Sequence, residues 1–341
     1  MKRFYIQWHL LDRCNLRCRH CYQEGYTRGN ELDLEGLKAV AENLLEAMAA
    51  WDCTLDIALT GGEPLVKEEF FDLLDHLNRA RRTGRLSIIT NGTLLGAHIG
   101  RLKQFRKMKE FRVSLDGVTE AGNDAIRGEG AFRTVMENLE AVRGSGIPVY
   151  LMFTVMQSNL AEAAHLPALV KELGVEGFIL ERFIPLGTGL QLREQAPLDG
   201  RQFLALWDVL LEEMGLEAEP ADLIRYRGIK MAVKGGKAKI FGSDCIVGCD
   251  GMALMPDGTI FPCRRLPVPA GNLQNQRLKD LWASSSEILC ALRDKQRLKG
   301  KCGACSVEGC IGCRAMANAL TGDPLAEDPH CWLEDWQRAQ H

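Results

Sequence analysis

Residues 4–21 read FYIQWHLLDRCNLRCRHC: an apolar, β-prone stretch over residues 4–11 runs almost directly into Cys14, Cys18 and Cys21. Phe, Tyr, Ile and Trp suit a pleated, half-buried strand. The three thiols therefore sit at the tip of the first strand. The pattern then repeats as alternating strands and amphipathic helices. A helix with Asp33 as N-cap carries Leu34, Leu37, Ala41, Leu44, Leu45 and Met48 on one face. The strand over residues 55–59 ends in Thr60-Gly61-Gly62-Glu63-Pro64, and the next helix presents Phe70, Phe71, Leu74 and Leu77. Residues 86–89 run into Thr90-Asn91-Gly92, and residues 111–115 into Asp116-Gly117. Residues 149–155 and 177–180 complete six strands, with further helices centred near Leu102, Leu139 and Leu169.

Repeated strand–helix units predict an α/β fold with a parallel sheet and right-handed crossovers. Six units predict a partial (β/α)6 barrel rather than a closed eight-stranded one. Sites in such folds gather at the C-terminal strand ends, where the polar and Gly-rich tips lie. The expected domains are the partial barrel over 1–190, a polar helical bridge over 191–240 and a small cysteine-rich domain over 241–341. Gly, Pro and Cys are frequent in that last domain, which is expected to hold one long helix, over about 278–298, and to depend on metal for its fold.

The chain has 341 residues and a net charge of -3, which gives no global case for nucleic acid or an acidic membrane as partner. No apolar run approaches the roughly 18 residues of a membrane helix, and the N-terminus is too short and polar for a signal peptide. A soluble, cytoplasmic protein is expected. Residues 225–239 hold Arg225, Arg227, Lys230, Lys234, Lys237 and Lys239 without an acid. They read as a solvated loop or linker, or as an anchor for an acidic substrate or partner.

Of 13 cysteines, three lie between Cys14 and Cys21, nine follow residue 244, and Cys53 stands alone between them. In a chain of this length without a signal peptide, ligation of metal is a better reading than disulfides. Three thiolates within eight residues can wrap one face of a [4Fe–4S] cluster and leave the fourth iron open to a small molecule. Zinc is the alternative, with His9 or His20 as fourth ligand. At these residues the chain resembles the radical S-adenosylmethionine (SAM) superfamily. The resemblance implies that the open iron chelates SAM and that an electron from the cluster cleaves it to methionine and a 5′-deoxyadenosyl radical. His20 occupies a position where an aromatic side chain is usual. Gly61-Gly62-Glu63-Pro64 matches the motif whose backbone holds the methionine amino group, glycine allowing close approach. Ser114 and Asp116 match the position that contacts the ribose. Asn91 and Thr154 sit at other tips of the same mouth, and Arg182 follows the sixth strand, where relatives hold the adenine. Arg127 reads as a surface or structural residue.

The later cysteines, Cys245, Cys249, Cys263, Cys302, Cys305, Cys310, Cys313 and Cys331, would fill two four-thiolate clusters; Cys53 and Cys290 remain and suit buried packing. This pattern resembles the SPASM domain, which binds two auxiliary [4Fe–4S] clusters, although the spacings from Cys305 to Cys310 and from Cys310 to Cys313 are each one residue shorter than usual. Carried over by order, Cys245, Cys249, Cys263 and Cys313 hold the first auxiliary cluster, and Cys302, Cys305, Cys310 and Cys331 the second. Their expected work is electron transfer.

Enzymes of this kind mostly modify ribosomally made peptides, so a peptide maturase is the expected activity. The expected partners are a peptide, an electron donor such as flavodoxin or ferredoxin, and a separate leader-binding protein, since no leader-binding domain fits before Cys14. The alternative is modification of tetrapyrrole side chains in haem-type synthesis. Sulfatase maturation is disfavoured, because Arg264 and Arg265 stand where that group has an Asp base; these arginines are candidates for substrate carboxylates. A non-catalytic electron-transfer or zinc protein would explain the cysteines but not residues 61–64. No catalytic base is identifiable; Tyr22, Tyr26 and Glu24 are candidates by proximity in sequence alone.

Overall fold

The computed structural model describes residues 2–218, 223, 226–234, 237–245, 247 and 249–333. Six parallel strands form its centre: β1 (Lys2–His9), β2 (Cys53–Thr60), β3 (Thr83–Thr90), β4 (Met108–Ser114), β5 (Val149–Val155) and β6 (Gly177–Arg182), in the spatial order of the chain. Helices α1 (Leu34–Ala50), α2 (Phe70–Arg79), α3 (Leu95–Leu102), α4 (Glu120–Arg127), α5 (Ala131–Val142), α6 (Leu160–Ala163) and α7 (Leu166–Leu173) make the crossovers. Asp33 caps α1 by accepting the Gly36 N–H, as its short acceptor side chain at a helix start predicts. The buried faces are the expected ones, with Leu37, Ala41, Leu44 and Met48 on α1 and Phe70, Phe71, Leu74 and Leu77 on α2. Ile6, Trp8, Leu55, Ile57, Ile88, Phe111, Leu151 and Phe178 fill the core beneath them.

The sheet stays open and carries eleven strands. Beyond β6, helix α8 (Gly200–Met214) is followed by a hairpin, β7 (Tyr226–Lys234) and β8 (Lys237–Asp244), with β7 antiparallel to β6. Most of the basic stretch is therefore sheet rather than a solvated linker or helical bridge; Arg225 lies outside the described residues. Alternation explains the difference. Ile229 and Met231 turn inward while Lys230 between them sends its ammonium to Glu110 at 2.7 Å and over the Tyr150 ring. Glu110 also pairs with Arg112 at 2.7 Å, and the two cations hold its carboxyl down at about 2.

On the opposite edge, β9 (Gly251–Leu254) lies parallel to β1, and β10 (Thr259–Phe261) and β11 (Gly271–Asn272) extend the sheet antiparallel. The cysteine-rich segment thus joins the barrel's own sheet. Its expected long helix is broken into Leu278–Asp280, Leu281–Ser285, Glu287–Arg293 and Lys295–Arg297. Three serines at 284–286 favour turns over helix, and Asp294 accepts the Gln296 N–H to start a new turn. Cys290 is exposed, not buried, because Leu289, Ala291 and Leu292 take the inward face of its short helix. Cys53 is buried at the start of β2. Among the described residues no helix is long and apolar enough to cross a membrane.

Candidate active site at the mouth of the barrel

The loop after β1 brings Cys14, Cys18 and Cys21 to a cavity at the C-terminal strand ends. Gly61, Gly62, Asn91, Ser114, Thr154 and Arg182 line the same cavity, together with Arg127, Arg264 and Arg265. The glycines at the β2 tip serve the cysteine loop itself. Gly62 N–H donates to Leu11 O at 2.8 Å and Glu63 N–H to Arg13 O at 2.9 Å. A Cβ on Gly62 would sit 2.1 Å from the Arg13 carbonyl oxygen, and one on Gly61, whose φ is +141°, would sit 2.4 Å from that of Leu11. Close approach here is backbone to backbone.

Glu63 and Asp116 do not reach the cavity; both side chains are wholly buried behind its wall. Glu63 accepts from Thr90 Oγ1 and Asn91 N–H, both at 2.8 Å, and from Leu65 N–H at 3.1 Å, tying the β2 tip to the β3 tip. Burial pushes its carboxyl up to about 7 against those hydrogen bonds. Pro64, buried too, starts the short turn that follows. Asn91 continues the chain of contacts, donating to Asn15 Oδ1 at 2.8 Å with Cys14 Sγ at 3.7 Å.

Asp116 holds Arg127 at 2.6 Å and His20 at 3.0 Å, and accepts the Thr154 N–H at 2.7 Å. The Arg127 guanidinium and His20 hold its carboxyl down at about 2 despite its burial. Arg127 is buried and lies with its other nitrogen 3.9 Å from Cys18 Sγ, so it belongs to the wall of the site rather than the surface. No sequence signal links Arg127 to Cys18; the crossover from β4 into α4 does. Arg182 turns toward the C-terminal segment, pairing with Asp328 at 3.0 Å and donating to His330 O.

The thiols suit iron. Leu16 N–H donates to Cys14 Sγ at 3.4 Å and Gln23 N–H to Cys21 Sγ at 3.5 Å, the donors that thiolate sulfurs of a cluster accept. Thiol groups recur in the C-terminal segment. Cys245, Cys263 and Cys313 pack on one apolar patch with Ile184, Val247, Leu266 and Leu292. Buried Cys302 accepts from Arg314 Nη2 at 3.3 Å and Asp328 N–H at 3.2 Å. Asp328 also accepts the Cys313 N–H at 2.8 Å, which links the two groups. Among the described residues no three His, Cys, Asp or Glu side chains converge as on a single ion.

A strand-tip loop of three thiols faces a polar cavity, with a second thiol-rich segment docked beside it, an arrangement suited to iron–sulfur clusters. The chain matches the model of the radical SAM superfamily over residues 8–166 and that of an iron–sulfur cluster-binding domain, SPASM, over residues 245–306. It is 31% identical over 338 residues to an AdoMet-dependent heme synthase of Methanosarcina barkeri, covering 96% of this chain and 95% of that one. A pre-heme d1 synthase of Dinoroseobacter shibae is 29% identical, with 96% and 86% covered, and the mycofactocin maturase MftC of Mycobacterium tuberculosis 27%, with 96% and 82%. The structure of Streptococcus suis SuiB bound to S-adenosylmethionine shares the fold, with a TM-score of 0.72 over 97% of this chain and 78% of that one at 15% identity. The chain belongs to the radical SAM superfamily and to its SPASM-bearing branch, and it is an enzyme that uses SAM and iron–sulfur clusters.

Proposed function

We propose that this enzyme modifies a tetrapyrrole side chain in haem-type synthesis. The observation that carries the reading is the likeness, over nearly the whole of both chains, to an AdoMet-dependent heme synthase. The expected peptide substrate finds support in the maturase relative, but at lower identity and lower coverage. Arg264, which lines the cavity without an ion pair among the described residues, favours a substrate with carboxylates, which a porphyrin's propionates provide.

Cys14, Cys18 and Cys21 hold the catalytic cluster; Cys245, Cys249, Cys263 and Cys313 hold one auxiliary cluster, and Cys302, Cys305, Cys310 and Cys331 the other. The common packing of Cys245, Cys263 and Cys313 on one apolar patch supports the first of these groups. When bound there, the cluster and SAM would supply radical chemistry for hydrogen abstraction, and the later cysteines would hold clusters suited to electron transfer. The chain's own residues arrange that chemistry. Gly61 and Gly62 let the cysteine loop seat against β2, Asn91 and Arg127 hold its sulfurs, and Ser114 and Thr154 face the space left for SAM. The barrel over 1–190 supplies the mouth, and the segment from 241 onward closes it with Arg264 and Arg265.

The test is anaerobic reconstitution, addition of SAM and a reductant, and measurement of 5′-deoxyadenosine with and without substrate. Stimulation by an iron porphyrin precursor, with a mass change in it, is expected. Stimulation by a short peptide alone, with the mass change there instead, would restore the maturase reading.

A further inference from the structure

Four arginines line the cavity, and three are neutralised. Arg127 has Asp116 at 2.6 Å, Arg182 has Asp328 at 3.0 Å, and Arg265 has Glu181 at 3.3 Å while also donating to Arg182 O at 3.1 Å. Arg264 is different. Among the described residues it forms no ion pair, and its Nε, like that of Arg127, is buried without a hydrogen-bond partner. Its guanidinium lies over the Tyr22 ring, 4.4 Å from the centroid. That ring is itself fixed, by an edge contact with His9 at 5.9 Å and by its hydroxyl 3.5 Å from Gly61 O. Asp12 is near enough to feel the charge of Arg264 but makes no ion pair with it, and its Oδ1 accepts from Gln23 Nε2 at 3.0 Å.

A planar cation held on an aromatic face is pre-organised for a bidentate anion, and a buried, unsatisfied N–H is costly until one arrives. We propose that Arg264 is the anchor for a substrate carboxylate, and that Arg265 beside it is not. This rests on the tetrapyrrole reading above and names the group of the ring, a propionate, that the site grips. Arg264 directly follows Cys263, so the anchor would fix the ring next to an auxiliary cluster. Tyr22 directly follows Cys21, so the same stack ties the anchor to the catalytic loop. The two segments that carry cluster ligands thus meet at the substrate's carboxylate.

The experiment is a titration of the reconstituted, full-length protein with iron coproporphyrin, and separately with its tetramethyl ester, followed by the Soret band. Wild-type protein should bind the acid and bind the ester at least tenfold more weakly. Arg264→Gln should weaken binding of the acid by about ten- to a hundredfold, the range for losing a charged hydrogen-bonded partner. Arg264→Lys should recover part of that loss, since it keeps charge without the fork. Iron and sulfide content shows whether each variant is loaded; if Arg264→Gln is not, the Arg264→Lys and ester comparisons decide. Equal binding of acid and ester by wild type, or of the acid by wild type and a loaded Arg264→Gln, would overturn the anchor. No binding of either porphyrin by wild type would instead overturn the tetrapyrrole reading on which the anchor rests.

Discussion

Replacing Gly62 by alanine should disable the site without touching a thiol. The added Cβ would lie 2.1 Å from Arg13 O, 2.6 Å from Arg13 C and 2.7 Å from Asp12 O, all backbone atoms that cannot swing away. Carbon–oxygen contact needs more than 3 Å, so the cysteine loop must retreat by about 1 Å. The hydrogen bonds from Gly62 N–H to Leu11 O and from Glu63 N–H to Arg13 O would then stretch or break. Two such bonds are worth about 1 kcal/mol each and overpacking adds about 1–3, giving about 3–5 kcal/mol locally. A displacement of about 1 Å at reacting groups costs about a hundredfold in rate. The assay is iron content after reconstitution, then the rate of 5′-deoxyadenosine formation from SAM. Gly100→Ala is the control: its Cβ would meet nothing within 4 Å in α3, and alanine there favours the helix. Gly62→Ala with wild-type iron content and a wild-type rate would refute the claim that this glycine seats the loop.

Other consequences can be checked independently. Replacing Cys14, Cys18 and Cys21 together by alanine should abolish SAM cleavage and lower iron by about four atoms per chain while the auxiliary thiols keep theirs, as iron analysis would show. Asp328→Asn would leave partly buried Arg182 without this anion and weaken the acceptor for the Cys313 N–H; a loss of about 2–4 kcal/mol, read as a fall in melting temperature, is expected. Glu63 is raised by burial above its unfolded value. Its stabilisation of the fold is therefore fullest below the unfolded value of about 4.5 and shrinks as pH rises toward 7. The melting temperature of wild type relative to Glu63→Gln should accordingly fall between those values. Glu110→Gln would strip the counter-ion from Lys230 and Arg112; as both cations are partly exposed, a loss of about 1–3 kcal/mol is expected, with protease sensitivity rising first in the β7–β8 hairpin.

Much of the barrel was legible in the chain itself. Each of the six strands is a β-prone apolar run, most of them running into Gly, Asn or Asp, and each lies where that run put it, within three residues at either end. The β7–β8 hairpin was not legible, because lysines at alternate positions look solvated until a sheet edge and Glu110 give one of them a place. The broken helix beyond Leu278 failed for the opposite reason: apolar spacing suggested continuity where three serines and Asp294 interrupt it.

By itself the sequence determined the kind of chemistry. Cysteine number and spacing, the Gly-Gly-Glu-Pro turn and the strand–helix alternation are local properties, and local properties survive in a one-dimensional reading. Only the tertiary structure decided which polar groups face the cavity. Asp116 looks like a ligand at a strand tip, yet its side chain turns inward to buried Arg127 and to His20, and the Glu63 side chain turns inward to the β3 tip. Arg264 and Arg265 are adjacent and chemically alike, yet Arg265 pairs with Glu181 while Arg264 lies over the Tyr22 ring and, among the described residues, forms no ion pair. Those outcomes depend on residues from 11 to 242 positions away along the chain, which meet only when the strands take their places side by side in the sheet.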